Sequence, residues 1–107
     1  MARVRGIPNS FMLFGHEITV EYHKDLATAD EDGEQIPVLG MALFDENLIK
    51  LRSPCKDVAR STLQQTFWHE LTHHVFHKIS ELELAYDERI VDLVAQLLHQ
   101  YETSKKV

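Results

Sequence analysis

Trp68-His69-Glu70-Leu71-Thr72-His73-His74, in the second half of the chain, places two imidazoles and a carboxylate at a spacing that can do chemistry. His69, Glu70 and His73 match the pattern H-E-x-x-H. On a helix, residues four apart differ by about 40° in azimuth at roughly 100° per residue, so both imidazoles can reach one ion from successive turns. Glu70 lies on an adjoining part of the same face. Its carboxylate can reach a metal-bound water without ligating the metal. The ion that suits such donors is Zn²⁺, which lowers the pKa of bound water from about 15.7 towards about 7. Glu70 would accept the proton as that water attacks a carbonyl. The five-residue pattern also arises by chance, so its context has to support it.

A catalytic zinc takes three protein ligands and keeps one position open. The third ligand offered is Glu88, in Glu88-Arg89-Ile90-Val91-Asp92. Glu88 and Asp92 are four apart and share a stripe on the side away from Ile90, Val94 and Leu97. His69, His73 and Glu88 then form the ligand set. Asp92, one turn beyond, would accept the outer N–H of a ligating histidine and fix its tautomer. Taken alone, an E-x-x-x-D pair is an ordinary solvated helix face. A rival set is His69, His73 and His77, but a straight helix puts His77 about 12 Å from His69 along the axis. His77 is better placed at the rim. Hydrolysis also needs a donor for the developing oxyanion. Tyr86 and His77 are both candidates, and the spacing does not choose between them.

The remaining histidines fit plainer roles. His74 points to the apolar side and is expected to be packed or hydrogen-bonded. His99 is three turns along the Glu88/Asp92 stripe and too far to bind. His16 and His23 flank a predicted strand and read as surface residues. Cys55 reads as a plain reduced cysteine, although a thiolate could fill an open zinc position in a latent form.

Two helices must carry these residues. The first is expected to start at Ser53-Pro54 or Asp57 and run to about Ile79, with Phe67, Leu71 and Val75 recurring every fourth residue. After a break at 80–84, the second is expected from about Ala85 to Glu102, with Ile90, Val91, Val94, Leu97, Leu98 and Tyr101 as its apolar set. The first half reads as strands. Phe11–Phe14 leads through Gly15-His16 to Glu17–Tyr22, where Ile18, Val20 and Tyr22 alternate with polar residues. Ala27–Gln35 is acidic, carries Gly33 and reads as a loop. Met41–Leu51 reads as a hairpin about Asp45-Glu46-Asn47. The fold class is α+β: a small, twisted, mainly antiparallel sheet packed on two helices.

The 107 residues carry a net charge of −6, with 44% hydrophobic and 26% charged residues. That length and balance imply one folded domain spanning 1–107. An acidic chain is a poor non-specific nucleic-acid binder. No apolar run reaches the roughly 18 residues of a membrane span, and the opening Met1–Ser10 lacks the apolar stretch of a signal peptide. A single cysteine cannot form an intrachain disulfide, which fits a cytoplasmic setting.

With its motifs assembled, the chain resembles the gluzincin side of the zincin metallopeptidases, which pair H-E-x-x-H with a later E-x-x-x-D helix. It is most similar to very small members, the minigluzincins and the ImmA/IrrE-type proteins of bacteria and phages. Those proteins often show a glycine-led hairpin, then H-E-x-x-H, then E-x-x-A-N. Gly40–Leu51, His69–His73 and Glu88–Ala95 follow that order, with Val91-Asp92 in place of Ala-Asn. The likeness covers about residues 38–100. Metzincins continue with Gly and His where this chain has Phe76 and Ile79, and SprT-like proteases use a third histidine. The resemblance implies a zincin-like fold and a cytoplasmic zinc peptidase, in a bacterium or a phage-infected host, acting on a protein or peptide. It also implies that the edge strand beside the zinc, one arm of the 38–51 hairpin, pairs with the substrate backbone. The alternative is a non-catalytic metal-binding or protein-interaction module on the same scaffold.

Overall fold

The computed structural model describes residues 4–107; Met1–Arg3 of the opening segment lie outside the described residues. Among the described residues, six strands precede three helices: β1 (Ser10–Leu13), β2 (His16–His23), β3 (Ala27–Ala29), β4 (Gln35–Pro37), β5 (Gly40–Leu43), β6 (Leu48–Arg52), α1 (Arg60–Lys78), α2 (Leu82–Ala85) and α3 (Glu88–Ser104). The fold is α+β. The main sheet has the order β1-β2-β6-β5, with β2 and β6 parallel and the other two pairs antiparallel.

The alternation in β2 works as its pattern requires. Ile18 and Val20 are buried while Glu17, Thr19 and Glu21 face solvent. The inner strand β6 buries Leu48, Ile49 and Leu51. Ile49 and Leu51 join Leu63 and Phe67 of α1 in one cluster, with Val4 and Ile7 closing the core from the N-terminal segment. Burying apolar side chains of this size is worth about 1.5–3 kcal/mol each, which makes this cluster the main source of stability. The β5–β6 hairpin turns through Phe44–Asn47, with Asn47 in the left-handed region at φ 49°. β5 is an edge strand of this sheet, with no neighbour on its outer side among the described residues.

The structure corrects several sequence expectations. Ala27–Gln35 is not simply a loop, because β3 and β4 pair into a second, two-stranded sheet. The acidic tip is organised by Asp30, whose Oδ1 accepts from the backbone N–H of Asp32 and of Glu34 at 2.9 and 2.8 Å. Arg52 holds the base of that hairpin by donating to the carbonyls of Leu26 and Val38. Neither Ser53 nor Asp57 starts α1. Cys55 and Val58 form an isolated bridge that keeps this segment out of the helix, and the N-cap is Ala59 with no side-chain cap. The helix ends where Ser80 adopts φ 63° and the Glu81 N–H reaches back to the Phe76 carbonyl. The expected break contains α2, so there are three helices rather than two. The last helix begins at Glu88, later than Ala85, because the Asp87 carboxylate caps it by accepting from Ile90 N–H at 3.1 Å.

The apolar set assigned to α3 is also corrected. Val91 and Ala95 are fully buried, whereas Leu97 and Tyr101 are each 65% exposed. The helix turns its Glu88/Asp92 side towards α1, and the side chains neighbouring that stripe are the ones buried. The larger apolar residues are carried outwards.

Candidate metal centre

The centre is built where α1, α3 and the end of α2 meet beside β5. His69 and His73 project from successive turns of α1. The Nε2 atoms of the two rings lie 3.2 Å apart. Glu88, the first residue of α3, closes the triangle: Oε2 is 3.0 Å from His69 Nε2 and Oε1 is 2.9 Å from His73 Nε2. Although the Glu88 side chain is 69% exposed, its carboxylate faces inwards on the two rings.

Each ring is oriented from behind. His73 Nδ1–H donates to the Ala85 carbonyl at 2.6 Å, which leaves the Nε2 lone pair facing the triangle. His69 Nδ1 stands 3.3 Å from Asp92 Oδ1, and donation there likewise frees Nε2. Asp92 is itself held by Gln96 Nε2 at 2.7 Å. Two imidazole lone pairs and a carboxylate therefore converge. Such donors repel one another unless a cation lies between them. Ligands about 2.0–2.1 Å from a tetrahedral Zn²⁺ are themselves roughly 3.3 Å apart, close to the separations found here. His69, His73 and Glu88 can hold a metal ion.

Glu70 is not part of the triangle. It is 8% exposed and lines the same cleft. Burial pushes its carboxyl up to about 7; nearby His69 opposes this shift and Glu88 adds to it. The cleft extends to both sides of the triangle. One arm, about 300 Å³, is walled by Met41, Ala42, Phe44 and Tyr86. The other, about 370 Å³, is walled by Val38, Leu39, Gln65 and Thr66. Gly40, His69, Glu70 and Glu88 belong to both. Gly40 allows β5 to approach this closely: a Cβ there would lie 2.6 Å from Thr66 Cγ2 and 3.2 Å from Glu70 Cγ.

The two oxyanion candidates separate in space. Tyr86 lines the arm beside the triangle. His77 lies farther along, stacked on Phe44 with ring centroids 4.1 Å apart, in a neighbouring pocket that does not include the triangle. The rival set that included His77 is therefore not assembled. His74 is fully buried and its Nε2–H donates to the Leu48 carbonyl at 2.9 Å. Burial holds its pKa below the ordinary value. His99 packs against Gln64 and Gln65, away from the triangle. His16 is exposed, His23 pairs with Glu21, and Cys55 is an exposed free thiol.

Two contributors were missed in the sequence. The Ala85 carbonyl carries no side-chain signal at all. Phe44, whose ring meets His73, His74, His77 and Tyr86, looked like the end of a strand and not like a cleft wall.

No family model, curated protein or solved structure matches the chain. Among the described residues, no helix is long and apolar enough to cross a membrane.

Proposed function

We propose that this chain is a zinc-dependent peptidase of the gluzincin type, acting on a protein or peptide substrate. The observation that carries the reading is the convergence of His69, His73 and Glu88 on one point, with the buried Glu70 carboxylate in the same cleft. A zinc ion held there supplies a Lewis acid and an acidified water. The protein supplies everything else. Asp92 and the Ala85 carbonyl keep both histidines in the tautomer that presents Nε2. Glu70 is placed to take a proton at its carboxylate and pass it to a leaving amine. Tyr86 is the better placed of the two hydroxyl or imidazole donors to meet an oxyanion. The outer side of β5 is open to an extended peptide, which would lie across the cleft between its two arms.

The test is metal analysis and peptide turnover on the same preparations, purified without chelator or histidine tag. Wild type should carry one zinc per chain. His69→Ala and Glu88→Ala should lose it. Glu70→Gln should keep the metal and lose hydrolysis. Retained turnover in Glu70→Gln rejects the mechanism. Stoichiometric zinc with no turnover on any peptide leaves a non-catalytic metal-binding module.

A further inference from the structure

Glu88 is the one member of the triangle that does not sit on α1. Its side chain is 69% exposed, and among the described residues its carboxylate pairs with the two imidazoles alone. Core packing does not hold a side chain so exposed. Its aim comes from the backbone at the start of α3. A helix turns about 100° and rises about 1.5 Å per residue, so an α3 that began one residue earlier or later would carry this carboxylate off both rings.

Asp87 fixes that start. Its backbone N–H donates to the Leu84 carbonyl at 3.1 Å and closes the turn that ends α2. Its carbonyl accepts from Val91 N–H at 2.9 Å and its carboxylate from Ile90 N–H at 3.1 Å, and these two bonds open α3. One residue thus ends one helix and begins the next. The stretch around it grips a single ring from both sides: the Ala85 carbonyl meets His73 Nδ1, and the Glu88 carboxylate meets His73 Nε2. Among the described residues, α3 alone has a side-chain cap, since Ala59 and Glu81 supply none to α1 and α2. The capped helix is the one whose first residue belongs to the triangle.

We propose that Asp87 is a positioning residue of the metal centre: by capping α3, its carboxylate holds Glu88 in register with His69 and His73. The inference rests on the reading of those three residues as zinc ligands and is independent of hydrolysis. A frayed first turn has to re-form before Glu88 can complete the set, and that ordering weakens affinity. The effect runs through the hydrogen bond to Ile90 N–H, not through the charge of Asp87.

Zinc affinity, read by competition with a chelating dye on the full chain purified without chelator or histidine tag, tests this. Asp87→Ala should weaken zinc about 3–30-fold, the span of a lost helix cap expressed as affinity. Asp87→Asn keeps an acceptor for Ile90 N–H and removes the charge, and should bind within about twofold of wild type. Asp87→Glu keeps the charge but carries the acceptor one methylene farther out, and should be weakened like the alanine variant. Gln100→Gly loosens the same helix about three turns further on and should leave affinity unchanged. The reverse order, with Asn weak and Glu intact, would mark an effect of charge and overturn the proposal. An equal loss in Gln100→Gly would make general stability of α3 the cause and overturn it too, as would Asp87→Ala within about twofold of wild type. Zinc binding indifferent to position 87 leaves the ligand set standing, whereas a wild type that binds no zinc overturns the ligand set and this inference together. Should Asp87→Ala fail to fold, the Asn and Glu variants still decide.

Discussion

Helix α1 changes character halfway along its buried face. Its first half buries Leu63 and Phe67 against the sheet. Its second half buries Glu70, Thr72, His73 and His74, which are the buried polar and charged residues of the described chain. One helix therefore holds a stabilising half and a half whose burial costs free energy. Polar groups out of water need partners, and most of these have backbone ones. Thr72 donates to the Trp68 carbonyl, His73 to Ala85 and His74 to Leu48. Those bonds fix the rings in one orientation. The apolar half gives the helix its seat on the sheet, and the polar half spends part of that stability on a positioned centre.

The contrast makes predictions, the largest on the apolar side. Phe67→Ala removes a ring packed edge-on against Phe11 and Trp68 at 5.7 and 5.6 Å. It should cost about 3–5 kcal/mol in urea denaturation and take metal binding down with the fold. A cost below about 1 kcal/mol would mean that this half does not anchor the helix.

Glu70→Gln should act in the opposite direction. In the metal-free protein the Glu70 carboxyl stands near 7, against an ordinary 4.5. Between those values the folded state holds a proton that the unfolded state has released. That contribution to stability is present in full below about pH 4.5 and is lost as pH rises through 7. The substitution removes this dependence. With chelator present, Glu70→Gln should be more stable than wild type by about 3 kcal/mol at pH 8 and close to it at pH 5. Equal stability at both pH values would show that Glu70 is not strained by its burial.

Two smaller effects divide the polar half itself. His74→Leu leaves the Leu48 carbonyl without its donor, and should cost about 1–3 kcal/mol with zinc stoichiometry unchanged. Asp92→Asn should leave stability nearly unchanged and weaken zinc affinity about 10–100-fold, read by competition with a chelating dye. If His74→Leu lost the metal, or Asp92→Asn kept full affinity, these two residues would have the reverse of the roles assigned to them.

Much of the centre was legible because helical spacing is a local property. His69 and His73 share a face of any helix they occupy. Glu88 and Asp92 do so equally, and the alternation of Ile18 and Val20 marks β2 for the same kind of reason. The β3–β4 pair was not legible, because its register depends on Asp30 turning the acidic tip and on Arg52 gripping its base. The start of α1 was misread because Ser53 and Asp57 have the side chains of caps, yet the Cys55–Val58 bridge competes for that segment. Leu97 and Tyr101 belong to the apolar set of the last helix yet stay exposed, because hydrophobicity alone does not say which of two adjoining faces a helix will turn inwards.

By itself, then, the sequence determined which side chains share a helix face, since a periodicity of 3.6 needs no knowledge of neighbours. It determined the α+β order and the residues able to bind an ion. Only the tertiary structure decided that the two helices bring their faces together, with the Glu88 carboxylate about 3 Å from both imidazoles. It also decided that a backbone carbonyl sets the tautomer of His73, and that Tyr86 rather than His77 lines the cleft. The reason is physical: contacts between elements depend on how whole faces pack against one another, and no local spacing encodes that choice.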